Sequence, residues 1–263
     1  MKLLNLFKQL YRDYSSIHRE AINFPGIYFN NFFKITIDKT IKTIGYIWHF
    51  LFRNKKYDNK LEVIGNYKIL PFDITSNSII YSCGIAQNIS FDEAISHKFG
   101  CDVFMFDPTK ISHKFMNSIS NSKLKFFNIG IWKLDGNIKF YHPNDLKNEN
   151  FSATNFFHSK TYVTLPCKSI VTLMKEYEQS KIDVLKMDIE GASFDILNDL
   201  LDNNVHPKQI VVELERPFFI YNASFFELFS YLNKRRKLHS RLKRVGYDLV
   251  ELQANELLAI KLY

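Results

Sequence analysis

From residue 61 onward the chain alternates two patterns. Short β-branched or aromatic runs occur at residues 78–82, 103–106, 123–131, 181–189 and 209–215. Between them, apolar residues recur at helical spacing over 91–99, 170–179, 194–202 and 224–243. The strand runs are nearly continuous in apolar residues, as expected when both faces of a parallel strand are buried. Strands alternating with helices predict an α/β fold, doubly wound, with a mostly parallel sheet covered on both sides. Residues 137–142, after Asp135-Gly136, read as an added β segment. Residues 247–252 and 257–263 can pair as a closing hairpin around Ala254-Asn255, which implies one antiparallel strand.

The first sixty residues are different. Leu3, Leu4, Phe7, Leu10 and Tyr11 follow the i, i+3, i+4, i+7 spacing of an amphipathic helix. Residues 40–52 form an aromatic run followed by Arg53, Lys55 and Lys56. We therefore divide the chain into an N-terminal helical extension, residues 1–60, and a domain over 61–263. The extension holds eleven Lys and Arg against four acids, which accounts for nearly all of the chain's net charge of +8. Two uses fit it: peripheral contact with an anionic membrane, or an apolar face packed on the domain. No run reaches the ~18 apolar residues of a transmembrane helix, and no signal-peptide pattern is present. Three cysteines without a C-x-x-C pair argue against a disulfide scaffold. The expected location is the cytoplasm, with the inner membrane face as the site of any peripheral contact. No RNA-binding motif is present, so nucleic acid is not an expected partner.

Candidate chemistry lies at the ends of the strand runs. The stretch Ile79–Cys83 leads into Gly84, a short turn and a helix. A glycine there lets a ligand approach the backbone, and the helix start offers free N–H groups. Asp107 follows 23 residues after Gly84, at the end of the next strand run. An acid so placed can accept hydrogen bonds from both hydroxyls of a ribose, or cap a helix that starts at Pro108. The run that ends Leu185-Lys186-Met187 delivers Asp188 and Glu190 before Gly191. Glu190 can instead cap the following helix.

These words together resemble the FkbM-type S-adenosylmethionine-dependent methyltransferases. The carrying residues are 81–92, Phe99-Gly100-Cys101, Phe106-Asp107-Pro108-Thr109, Asn128-Ile129-Gly130-Ile131, residues 185–192 and Val211-Val212-Glu213-Leu214-Glu215. The resemblance covers about residues 61–263. It implies a Rossmann-like class I methyltransferase sheet of seven strands whose last strand is antiparallel. It implies S-adenosylmethionine over the Gly84 turn with its ribose near Asp107. The implied cofactor set is Ser82, Cys83, Gly84, Ile85, Asn88, Phe106, Asp107, Pro108, Asn128, Gly130 and Asp188. The implied catalytic acids are Asp188, Glu190 and Glu213. Members of such families methylate hydroxyls, often on sugars, so the expected partner is a sugar or glycan acceptor.

The sequence departs from that pattern at four places. Ala86 replaces the second turn glycine, and Asn88 stands where an acid is frequent. Ser193 stands where Glu is frequent, and Glu215 where His is common. The last change leaves the general base open among the acids. Asp188 is the first candidate, since a sugar hydroxyl needs a base or a metal to take up its proton. Acids from two adjacent strand ends can also bind Mg²⁺, with Asp188 as a ligand. Two rival readings are a metal-dependent glycosyltransferase using the Asp188-Ile189-Glu190 word, and a catalytically degenerate methyltransferase-fold adaptor at the membrane.

Overall fold

The structure is a computed structural model. It describes residues 55–143, 151–155, 158–217, 224–252 and 255–261, with isolated helical positions at 35, 36, 39, 40 and 43. The expectations for the amphipathic run near the N-terminus and for the aromatic run at 40–52 lie almost wholly outside the described residues.

The central sheet has seven strands. In chain order they are β3 (Ile79–Cys83), β4 (Asp102–Phe106), β5 (Leu124–Phe127), β9 (Val184–Met187), β10 (Gln209–Glu213), β11 (Tyr247–Glu251) and β12 (Glu256–Lys261). Their spatial order is β11-β12-β10-β9-β3-β4-β5. Strand β12 runs antiparallel to both β10 and β11, and the pairs from β10 to β5 are parallel. The sheet is thus the expected one, with its last strand inserted antiparallel.

Side-chain alternation explains why the strand runs look uniformly apolar. Tyr81, Phe106, Leu185, Val212 and Ala259 feed one core. Their neighbours Ile80, Met105, Val184, Val211 and Leu258 feed a second core on the other face. Helices α3 (Ile170–Glu176), α4 (Ser193–Asp202) and α5 (Phe225–Arg244) supply buried residues to the first core. Helices α1 (Ser90–Phe99) and α2 (Lys110–Met116) supply them to the second. The sheet is doubly wound because each strand has two apolar faces to cover.

Several boundaries differ from the sequence reading. The run at 123–131 is not one strand. Strand β5 stops at Phe127, Ile129 N–H turns back onto the Phe127 carbonyl at 2.8 Å, and Gly130–Ile131 becomes β6 of another sheet. The Asn128 amide causes the exit by donating to the Asp107 and Thr109 carbonyls at 2.9 and 3.3 Å. That second sheet has the order β6-β8-β7, with β7 at Gly136–Tyr141 and β8 at Tyr162–Lys168. Strand β8, helix α2 and the hairpin of β1 (Glu62–Ile64) and β2 (Tyr67–Ile69) were not anticipated. The hairpin had a signal: Gly65-Asn66 between two short apolar runs is a two-residue turn, and Gly65 has φ +58°. Tyr57, before it, is 4% exposed within the second core.

The run at 181–189 pairs only over 184–187, and Asp183 explains its late start. Its side chain is 2% exposed and lies 2.9 Å from Lys208 Nζ. It accepts from Ile79 N–H at 2.9 Å and lies 3.3 Å from Lys181 Nζ. Burial pushes this carboxyl up, but the Ile79 N–H and the two lysines outweigh burial and hold it below the ordinary aspartate range. The three cysteines are all free and buried: Cys83 in the first core, Cys101 in the second and Cys167 in β8.

Asp183→Ala should lower stability by about 2 kcal/mol, since it strands a buried N–H and a charge-assisted bond. Because the folded pKa is depressed, Asp183 stabilises above the ordinary aspartate value and loses that effect as pH falls through the folded value. Urea denaturation at pH 7 should therefore separate variant from wild type, and the gap should shrink in acid.

Candidate active site

The sheet order reverses between β3 and β9: from β3 the chain first builds outward through β4 and β5, then returns to place β9 on the other side. The crevice at such a switch point is where open α/β sheets bind ligands. Here the two strand ends nearly touch. Gly84 has φ +80°, and a Cβ on it would lie 1.8 Å from the Asp188 carbonyl oxygen. No other residue fits that position without moving backbone. Lys186, 3% exposed in β9, donates its ammonium to the Gly84 carbonyl at 2.5 Å and so ties the turn to its neighbour.

Asp107 holds the other side of the turn. One carboxylate oxygen accepts from Ile85 and Ala86 N–H at 2.9 and 3.0 Å. The other accepts from Thr109 N–H at 2.8 Å and from the Thr109 hydroxyl at 2.5 Å. A carboxylate has roughly four acceptor sites, so this one is fully engaged by the protein. Four donors also explain how a charge 5% exposed is tolerated. Asp107 does not cap α2; Thr109 is the N-cap residue and accepts from Ser112 N–H. Ala86, which follows, takes φ +46°, so the missing glycine is replaced by a residue held in the left-handed region.

At the end of β9 the chain turns sharply. Glu190 has φ +47° and Gly191 φ +84°. Helix α4 then begins at Ser193 with Ala192 as its cap residue, so the capping position does not fall to Glu190. The Ser152 hydroxyl donates to the Glu190 carbonyl and ties the second sheet to this turn. Gly130 permits that sheet to close in: a Cβ there would meet Cys167 Sγ at 2.6 Å and Phe140 and Pro108 at 3.1 Å.

These elements enclose a cavity of about 230 Å³. Gly84, Ile85, Asn88, Phe106, Asp107, Pro108, Gly130, Asp188 and Glu190 all line it. Ser82 and Cys83 do not; both are 0% exposed beneath its floor. Burial pushes the Cys83 thiol up to about 12, so it stays protonated. Asn128 acts from behind the wall through the carbonyls it binds. Glu213 lies off the wall, in a cluster with Asp188 and Glu215.

The sequence reading missed several wall residues. Tyr67 comes from the unanticipated hairpin and donates its hydroxyl to Asp188 at 3.0 Å. Phe140, Phe151 and Ala153 come from the insert of residues 132–168, where the sequence offers His142 and His158 as substrate-site candidates but does not mark these three. Asp92 and Lys186 also line the cavity, from within the family-like stretches 81–92 and 185–192. His142 packs edge-on against Phe151, and His158 pairs with Glu227 at 2.9 Å; neither lines the cavity. The basic residues along α5 are divided: Arg235 pairs with Glu251, and Arg241 with Asn198 and Asp202, while Lys234, Arg236 and Lys237 are exposed.

The electrostatics single out the carboxylates. Burial, then Asp188 and Glu256, pushes Glu213 up to about 7. Burial, then Asp188 and Glu190, holds Glu215 well above the carboxylate range. Burial raises Asp92. Such crowding of acids at a cleft marks a candidate functional site.

A raised folded pKa for Glu213 means that the folded state grips the proton. The group therefore costs stability as pH rises from its ordinary value of 4.5 through about 7. In metal-free buffer, Glu213→Gln should match wild type near pH 4.5 and exceed it in Tm at pH 8 by on the order of 2 °C. Equal melting curves at both pH values would remove the crowding.

The family model described as Methyltransferase FkbM domain matches residues 51–249. No curated protein matches the chain. Among solved structures, a fibrillarin pre-rRNA processing protein of Methanococcus jannaschii is 13% identical over 76% of this chain and 70% of that one, with TM-score 0.39. Human N-acetylserotonin methyltransferase, solved with SAM, is 10% identical over 97% of this chain and 66% of that one, with TM-score 0.36. Monomeric WbdD is 10% identical over 70% of this chain and only 36% of that one, with TM-score 0.36.

Proposed function

The chain belongs to the FkbM methyltransferase family, and from that premise we propose that it transfers a methyl group from S-adenosylmethionine to a hydroxyl of a sugar, in a cell-surface glycan or its precursor. The observation that carries this reading is the meeting of the Gly84 turn, Asp107 and Asp188 around one cavity at the switch point.

The residues fit the cofactor. The cavity offers a glycine turn, an apolar slot between Ile85, Phe106, Ile131 and Phe140, and carboxylates suited to a cationic ligand. Gly130 keeps the slot narrow because its missing Cβ lets Phe140 and Pro108 close in. A ribose at Asp107 would compete with the donors already there. The Thr109 hydroxyl is the donor best able to give way, being a side chain that can rotate.

S-adenosylmethionine supplies an electrophilic methyl on a sulfonium and leaves as a neutral thioether. The acceptor oxygen supplies the electron pair for the new C–O bond, and its proton goes to a carboxylate. Asp188 is the first candidate for that base, because it lines the cavity and is oriented by the Tyr67 hydroxyl. Asn66 and Glu190 supply further polar groups suited to orienting a sugar. Association with an anionic membrane through residues 1–60 would bring a lipid-linked acceptor close.

Calorimetric titration should show selective micromolar binding of S-adenosylmethionine and S-adenosylhomocysteine, with NAD and a nucleotide sugar as controls. Binding of the nucleotide sugar alone would favour the glycosyltransferase, and binding of neither the adaptor. Asp107→Ala should weaken cofactor binding by about tenfold or more through loss of the turn, whereas Asp188→Ala should mainly lower turnover. Unchanged cofactor affinity in Asp107→Ala would sink the assignment of that side chain.

A further inference from the structure

Strands β9 and β10 deliver three acids to one point. One oxygen from each of Asp188, Glu213 and Glu215 lies within 4.8 Å of the other two. Three carboxylates so close repel strongly where water is scarce. The surrounding groups offset that charge only in part. The Lys186 ammonium, held on the Cys83 and Gly84 carbonyls, acts on Glu213 but is one cation against three acids. Tyr67 gives one hydroxyl to Asp188, Asn255 one amide to Glu213 at 3.4 Å, and Gly191 one N–H to Glu215 at 2.9 Å. Glu256 adds a further acid beside Glu213.

A separate observation points to a ligand. Glu215 is 8% exposed, and its Oε1 has no hydrogen-bond partner among the described residues. A buried carboxylate oxygen without a donor is costly, and one that persists calls for an explanation. A cation accounts for both the orphaned oxygen and the convergence of its neighbours. The donor set is oxygen only and anionic, which suits hard divalent ions rather than soft ones.

We infer that Asp188, Glu213 and Glu215 form a binding site for a hard divalent cation of the Mg²⁺ and Mn²⁺ class. Asp188 belongs both to the cluster and to the cavity wall, so a cation held there borders the space of the acceptor. Its catalytic use rests on the methyltransferase reading, whereas binding does not. With the cation in place Asp188 is a ligand. The acceptor hydroxyl is then acidified by the metal, and Glu190 is the cavity carboxylate placed to take its proton.

The test is titration of the full chain with Mn²⁺, followed by electron paramagnetic resonance. Wild type should bind one ion saturably, with sub-millimolar Kd and displacement by Mg²⁺. Glu215→Gln and Glu213→Gln should each weaken Mn²⁺ binding at least tenfold, while Glu93→Gln, an exposed acid on α1, should leave it unchanged. Absence of saturable binding by folded wild type would overturn the site, as would full-strength binding by a folded Glu215→Gln. Should a variant not fold, the wild-type titration decides alone. S-adenosylhomocysteine titrated into the same sample keeps the two readings apart. Mn²⁺ without S-adenosylhomocysteine binding fails the methyltransferase reading only, and the reverse fails the cation site only.

Discussion

The near-contact between the ends of β3 and β9 is the constraint on which the site depends. With less room than a methyl group between the Gly84 backbone and the Asp188 carbonyl, the glycine turn and the acidic turn form one unit. Lys186 reinforces it from within the sheet, and Asp107 clamps the loop from the β4 side. Each of these side chains is buried and polar, and each is satisfied largely by backbone groups of the turn. The polar groups of the switch point thus hold the loop geometry before any ligand arrives.

Much of this was legible in the sequence, for a physical reason. Strands buried on both faces leave long apolar runs, and the residues at their ends must be the polar ones. Gly84, Asp107 and Asp188 could therefore be located from spacing alone. What escaped was whatever depended on distant chain segments meeting. Phe140 and Phe151 carry no local mark that they close a cavity built on β3 and β9. Tyr67 lies in a hairpin short enough to be overlooked. The break at Asn128 was hidden because apolar residues continue on both sides of it, and only its amide bonds to the Asp107 loop turn the chain away. Glu215 was noticed as a departure from a pattern, but its burial beside Asp188 became visible only in three dimensions.

The acidic site and the basic character of the chain do not conflict, because they occupy different segments. The surplus of Lys and Arg sits in the first sixty residues. Within the domain, Arg235 and Arg241 of the α5 run are taken up by Glu251 and Asp202. No described helix is long and apolar enough to cross a membrane.

The three buried thiols give the fold its own set of labels. Cys83 sits at the switch point, Cys101 just before β4 in the opposite core, and Cys167 beneath Gly130 in the three-stranded sheet. Burial keeps each protonated, with Cys83 and Cys167 pushed up to about 12 and Cys101 raised as well. An alkylating reagent can then reach a thiol only when its own neighbourhood opens. The order in which the three become modified would therefore rank the two cores and the insert by how readily each one breathes, with no foreign probe introduced.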